Sequence, residues 1–388
     1  MSQLPPPPPH RDQKIRRAVT LRTSPAEAAA ELHAGLVQAE TALVVLFCSP
    51  QIAEDALAED ISQRFTGVPV IGCTTAGEIT PFGYRHGSVT GVSFAAPDFH
   101  AVTRLIADVR DFSVTDGRDL VQSCLAELDA TERDWPIDHV FAMLLIDGLA
   151  TCEESVVSAL HRELGPIPLF GGSSGDELTF GATKILHGGT FHPHSAVLVL
   201  VATDHPFHVF KTEHFVSSQE KMVITEADPV RRIVTEINAE PAAQEYARMV
   251  GLSIDKLTPM IFANYPVVVR VGNMPYVRSI QKVNEDASLT FFCAIDQGIV
   301  LTVAKGLDIA EDLQRLFDEL AAMIGPPELV IGCDCILRNL EIRQKGLEGR
   351  ISDIMTANNV VGFNTYGEQF HAMHVNQTFT GVAIGRRD

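Results

Sequence analysis

Glu78 and Glu368 each follow a glycine at the end of an apolar run, in Val70-Ile-Gly-Cys-Thr-Thr-Ala-Gly-Glu78 and Val360-Val-Gly-Phe-Asn-Thr-Tyr-Gly-Glu368. A turn at such a point aims a carboxylate and free backbone amides into a cavity, which is chemistry for holding a small ligand. The same carboxylates, with Asp176 and Glu177, also read as turn-fixing acceptors for backbone amides. Arg338 ends a run that reads as a buried strand, where an arginine pairs with Glu78 or Glu368 or holds a ligand carboxylate. Gly171-Gly-Ser173-Ser-Gly175 matches the G-x-S-x-G nucleophile elbow of α/β-hydrolases. An elbow must lead into a helix, whereas Asp176 to Leu186 reads as turn and strand. Ser173 as nucleophile, with Asp204 and His205 or His208, is therefore the lesser alternative to a plain turn. Cys333 and Cys335 share one face of a regular strand, but no second cysteine or histidine pair completes a zinc set, so core thiols are the simpler reading.

The segments that position these residues are repeated. Residues 70–92 and 360–382 align without gaps with eight of 23 positions identical, where chance gives roughly one or two. A looser copy ends in Pro168 to Glu177. Each copy closes a block of apolar strand, helix, second apolar strand and glycine turn. The strands are Ala42–Ser49 and Val68–Gly72, Val140–Ile146 and Ile167–Phe170, and Leu329–Ile336 and Val360–Phe363; the helices lie near Ile52–Phe65, Glu153–Leu164 and Leu340–Ala357. Strands apolar at consecutive positions are covered on both faces, and helices are their usual cover. The fold class is α/β, with two lobes of mixed sheets flanked by helices, built from duplicated strand-helix-strand-glycine-turn units.

A chain of 388 residues with 46% hydrophobic content exceeds one ordinary core. The reading is a tail over 1–17, an N-terminal domain over 18–205 and a C-terminal domain over 206–388, the break falling at His205-Pro206. In the second domain, helices are expected over Pro229–Asn238, Pro241–Val250 and Ile309–Ile324, with short strands between. Five consecutive prolines and then basic residues make Met1 to Arg17 an exposed polyproline tail. No apolar leader follows, which points to the cytoplasm. A net charge of −19 argues against nucleic acid or anionic membrane as partner. Seven scattered cysteines read as reduced core thiols. The longest apolar run, Ala196 to Ala202, falls far short of the ~18 residues of a spanning helix.

The turns of residues 72–78 and 171–175, together with Pro241-Ala-Ala-Gln-Glu-Tyr246, Gly332-Cys-Asp-Cys335 with Arg338, and Gly367-Glu368 followed by His374-Val-Asn-Gln-Thr378, resemble the FIST family over nearly the whole chain outside the tail. The resemblance implies a sensory or ligand-binding module and no enzyme. Gly362 to Gln369 and Met373 to Thr378 are most similar to the bacterial NosP branch. That branch implies haem as cofactor, nitric oxide as ligand, and a histidine kinase or cyclic-di-GMP enzyme as partner. The candidate ligand-binding residues are Glu78, Arg338, Tyr366, Glu368 and Asn376. A haem iron requires a neutral imidazole and an apolar slot. His371 and His374 lie beside Phe370, Met373 and Phe379 in the sequence, and in the duplicated register they fall on Pro81 and Tyr84. They are additions to the shared unit, which favours function over a hydrogen-bonded turn. His374 is the preferred metal ligand, His371 the next and His86 the third. The alternatives are the serine hydrolase and a haem-free module binding a small ligand such as an amino acid.

Overall fold

The computed structural model describes residues 14–387 apart from 53, 132, 272 and 273. The run of strands and helices falls into three copies of one unit. The first comprises β1 (Ile15–Thr20), α1 (Pro25–Leu36), β2 (Thr41–Cys48), α2 (Glu54–Arg64), β3 (Val70–Thr74), the hairpin β4 (Glu78–Thr80) and β5 (Gly83–Arg85), and β6 (Val89–Ala95). The second repeats this order as β7 (Phe99–Ile106), α3 (Val114–Asp129), β8 (Val140–Ile146), α4 (Glu153–Leu164), β9 (Leu169–Ser173), β10 (Ile185–His187), β11 (Thr190–His192) and β12 (Ala196–Thr203). The third opens with β13 (Phe207–Thr212) and is interrupted by an inserted domain. That domain holds β14 (Phe215–Asp228), β15 (Ile233–Ile237), β16 (Glu240–Pro241), α5 (Ala242–Met249), α6 (Pro259–Asn264), β17 (Val267–Val271), β18 (Met274–Arg278), β19 (Ile280–Val283), β20 (Leu289–Phe291) and β21 (Val300–Gly306). The unit resumes with α7 (Ile309–Ile324), β22 (Leu329–Cys335), α8 (Ile336–Gln344), α9 (Glu348–Ala357), β23 (Val360–Thr365), the hairpin β24 (Glu368–Phe370) and β25 (Met373–Val375), and β26 (Phe379–Ile384).

Each unit builds a mixed sheet with its first strand outermost, its last strand next, then its two parallel strands. No unit completes its own sheet. The hairpin of unit one pairs with β23 of unit three, that of unit three with β9 of unit two, and that of unit two with β3 of unit one. The three sheets thus exchange hairpins in a closed cycle. Their inner faces share one core, in which Phe47 of unit one stacks on Phe363 of unit three at 4.8 Å and Phe141, Phe170 and Val199 come from unit two. The outer faces are covered by each unit's own helices, through Leu32 and Ile61, Val157 and Leu160, and Phe317 and Ile351. Burial on both sides explains the unbroken apolar runs.

One register position is glycine in all three copies. Gly72, Gly171 and Gly362 sit opposite Leu46, Leu144 and Gly332 in the parallel pairs. A Cβ there would collide with the carbonyl oxygen of that opposite residue. The repeated glycine permits strand approach here, a use distinct from its freedom at turns.

The inserted domain is an antiparallel sheet around Met222, Ile224, Val234, Tyr246 and Leu301. Four expectations differ here or nearby. Residues 1–13 of the polyproline tail lie outside the described residues, and Ile15 to Arg17 belong to β1, anchored by the buried Ile15. Residues 229–238 are not a helix. Asp228 accepts from the Arg231 amide in a turn, and the β-branched Ile233, Val234, Thr235 and Ile237 favour the strand β15. The helix of 340–357 is two, broken at Gly346, which takes φ +65°. The copy read as loose, ending in Pro168 to Glu177, is a complete unit, the second of the three.

Candidate functional site

The three glycine turns meet where the sheets converge. The Ala76 amide donates to the Asn364 carbonyl at 2.9 Å, Gly175 to Thr74 at 3.1 Å and Tyr366 to Ser173 at 3.2 Å. These are equivalent positions, so the bonds form a ring passing once through each unit. Glu78 and Glu368 brace their turns identically. Glu78 accepts from Thr75 Oγ1 and from the Ser88 amide and hydroxyl at 3.1 and 2.6 Å. Glu368 accepts from Thr365 Oγ1 and from the Thr378 amide and hydroxyl at 3.2 and 2.6 Å. Both are buried, and burial, partly offset by these hydroxyls and amides, pushes their carboxyls up to about 7 and about 8. This is the geometry of turn-fixing acceptors. In the second copy Asp176 takes that work, accepting from the amides of Phe180, Gly181 and Ala182. Glu177 turns outward to accept from Gln51 Nε2 at 2.6 Å.

Tyr366 is buried beside the ring. Its hydroxyl donates to Asp176, and its ring packs on Phe180 and Phe292, joining the three-unit body to the inserted domain. His374, on β25, and Asn376, in the bend after it, stand over Gly367, where a Cβ would strike both side chains. His374 is 1% exposed. Gln369 Nε2 lies 3.2 Å from its Nδ1 and also donates to Ser173 Oγ at 3.0 Å. His374 Nε2 and Asn376 Oδ1 are buried with no hydrogen-bond partner among the described residues. Burial lowers the affinity of His374 for a proton, against the opposing pull of Glu154 and Glu153, so the imidazole is held neutral.

Sequence reasoning missed what surrounds His374. Glu153 and Glu154 open α4, and Arg232, in the turn before β15, donates to them at 2.7 and 2.6 Å. Arg232 also donates to the Phe292 carbonyl, and Glu154 accepts from the Ala294 amide. This ion-pair cluster fastens the inserted domain to unit two. Arg278, ending β18, reaches the His374 carbonyl at 3.4 Å. The available signal was two arginines and a Glu-Glu pair set among apolar residues.

Arg338 stands elsewhere than expected. It lies in α8, not at a strand end, and pairs with neither Glu78 nor Glu368. Its Nε donates to Asp334 Oδ1 at 2.7 Å, and a terminal guanidinium nitrogen lies 2.8 Å from His214 Nδ1. Tyr84 donates to Asp334 Oδ2 at 2.6 Å, and His214 Nε2 meets Glu341 at 2.9 Å. The network is buried at its centre and satisfies Arg338 internally.

The hydrolase arrangement does not assemble. Ser173 is buried with Gln369 on its hydroxyl, Asp204 is held by Arg133 and Arg387, and His205 Nδ1 meets the Gly385 carbonyl. Cys333 faces the shared core, whereas Cys335 packs with Leu337 and Tyr366 at the inserted domain. The strand end carries them into different clusters, and both are free thiols. Among the described residues no group of three or more His, Cys, Asp or Glu side chains is placed to hold a metal ion.

The apolar company expected around His374 is also dispersed. Phe379 packs on Phe210 and Phe317, and Phe370 lies against the shared core. His371 sits at the hairpin tip with φ +51°, half-buried and 6.0 Å from His161 between ring centroids. His86 is exposed, with its ring over Gly77. The neighbours of His374 that the geometry fixes are Gln369, Asn376 and Arg278, polar or charged, in place of the apolar slot expected for haem.

The family model of the FIST N domain matches residues 42–240, and that of the FIST C domain matches residues 242–371. The chain belongs to the FIST family. FIST domains are sensor domains of signal transduction that take small ligands and pass the signal to partner proteins. They are sensor modules rather than catalytic ones. No curated protein matches the sequence. The two FIST matches meet at β16 within the inserted domain, and the second ends before β25, so His374 and Asn376 lie beyond it. No helix among the described residues is long and apolar enough to cross a membrane.

Proposed function

We propose that this FIST protein is a cytoplasmic sensor whose small polar ligand is held where the inserted domain meets the three-unit body. His374, Asn376 and Arg278 are its contacts, and Tyr366 lines the approach. The supporting observation is the gathering of buried, unpartnered polar atoms at that seam: His374 Nε2, Asn376 Oδ1 and Arg278 Nε. Buried polar groups in folded proteins are nearly always satisfied, and a cluster left open calls for a partner. Neighbouring donors and acceptors suit a ligand such as a free amino acid. Capture there bears on the Arg232 to Glu153 and Glu154 pairing and so on the set of the inserted domain. That domain is the surface offered to a histidine kinase or cyclic-di-GMP enzyme.

The test is a thermal-shift screen of free amino acids and other small polar metabolites, followed by calorimetry on wild type, His374→Ala and Asn376→Ala. A ligand bound by wild type and weakened at least tenfold in both variants supports the site. Equal binding by all three refutes it. The alternative proposal, haem carrying nitric oxide on iron at His374 or His371, predicts an intense Soret band in protein expressed with haem supply. Loss of that band in His374→Ala or His371→Ala would replace the polar-ligand reading.

A further inference from the structure

We propose that Arg278 and the His374 imidazole form a receptor for an oxyanion, so that the ligand taken at the seam carries a carboxylate. This rests on the ligand-binding reading above and adds the chemistry of one end of that ligand.

Three arginines are buried among the described residues: Arg232, Arg278 and Arg338. Two have carboxylate partners. Arg232 takes Glu153 and Glu154, and Arg338 takes Asp334. Arg278 is 9% exposed, and among the described residues no carboxylate lies within 4.0 Å of it. Among the described residues its single hydrogen bond is the long one to the His374 carbonyl, and its Nε has no partner there. A guanidinium does not give up its proton, so burial cannot discharge it as it would a lysine. A buried cation without a counter-charge is a costly arrangement, and an anionic ligand relieves it.

His374 supplies the second donor. With the Gln369 amide donating to Nδ1, the ring proton resides on Nε2, and that N–H has no acceptor. A guanidinium fork and a neutral N–H are the donors a carboxylate accepts. Glu153 and Glu154 are close enough to bias the titration of His374, and their charges disfavour a dianion such as phosphate. A monoanion is the species that fits.

The test uses acetate as probe, with acetamide as its neutral counterpart. Thermal midpoints of the full chain are measured in about 100 mM sodium acetate and in sodium chloride with acetamide at matched ionic strength. Wild type is expected to gain about 2 °C in acetate. Arg278→Met should show no gain, and its midpoint in chloride should equal or exceed that of wild type because an unpaired buried cation has been removed. Arg278→Lys, which keeps the charge and loses the fork, should show less than half the gain. No acetate gain in wild type, an equal gain in Arg278→Met, or a midpoint of Arg278→Met in chloride more than about 5 °C below wild type would each overturn the proposal. A metabolite from the screen that binds wild type and Arg278→Met equally would leave the sensor standing without the oxyanion receptor. An acetate effect dependent on Arg278, with His374→Ala and Asn376→Ala leaving metabolite binding untouched, would do the reverse.

Discussion

Replacing Glu78 and Glu368 together by glutamine should flatten the dependence of stability on pH across the neutral range. An unfolded glutamate titrates near 4.5, whereas burial raises these two to about 7 and about 8. A carboxyl whose folded value is raised holds its proton more tightly in the native state. Its stabilising contribution is complete below 4.5 and is lost as pH rises toward the folded value. From pH 6 to pH 9, Glu368 keeps its extra proton for about two pH units and Glu78 for about one. At roughly 1.4 kcal/mol per unit, the wild type should lose about 4 kcal/mol of unfolding free energy over that interval. Glutamine preserves the shape and the accepting oxygen that faces Ser88 or Thr378, while its amide can donate to Thr75 or Thr365. Urea unfolding at pH 6, 7, 8 and 9 should therefore show wild type falling and the double variant nearly level. Parallel curves for the two proteins would refute the assignment of raised values to these carboxyls.

Arg232→Ala should cost about 3–5 kcal/mol, because it strands the buried Glu153. Hydrogen exchange should then rise in β14, β20 and β21 while the shared core stays protected. Gly72→Ala should destabilise by about 3 kcal/mol through collision with the Leu46 carbonyl. Gly349→Ala, in a helix with open space at the Cβ position, should stabilise by about 0.5–1 kcal/mol, and urea unfolding of the pair separates packing from propensity. A fluorophosphonate probe should leave Ser173 unlabelled in the folded protein, as read by mass spectrometry, and labelling there would restore the hydrolase.

The blocks of strand, helix and strand were legible because burial on two faces writes long apolar runs, as in Leu43 to Phe47 and Val140 to Ile146. The repeated Gly-Glu pair was legible too, and its bracing role follows from hydroxyls three residues before and ten after each acid. The destination of the hairpins was not. Strands of three residues such as Glu78–Thr80 carry the same pattern whichever sheet receives them, and only the meeting of three turns decides it. Arg338 was misplaced because Gly332 to Cys335 reads on into Ile336 and Leu337 as strand, with no capping side chain to announce α8. Arg278 escaped notice for a plainer reason. A lone arginine beside Val277 and Ile280 reads as the solvent side of an alternating strand, and only its burial and missing counter-charge set it apart.

The hairpin cycle bears on how such a chain can be made. A ribosome that has released unit two has not yet built Glu368–Phe370, which closes the β9 edge, and unit one's hairpin must wait for Val360–Thr365. Unit one's sheet receives its hairpin early, from unit two, but until nearly the last strand emerges the β9 edge stays open and unit one's own hairpin stays unpaired, the condition that invites wrong pairing with other chains. Contacts this distant along the chain are slow to form. A cut between units two and three would leave a fragment in which unit one's sheet has its hairpin from unit two, while the β9 edge and unit one's own hairpin have lost the strands that cover them.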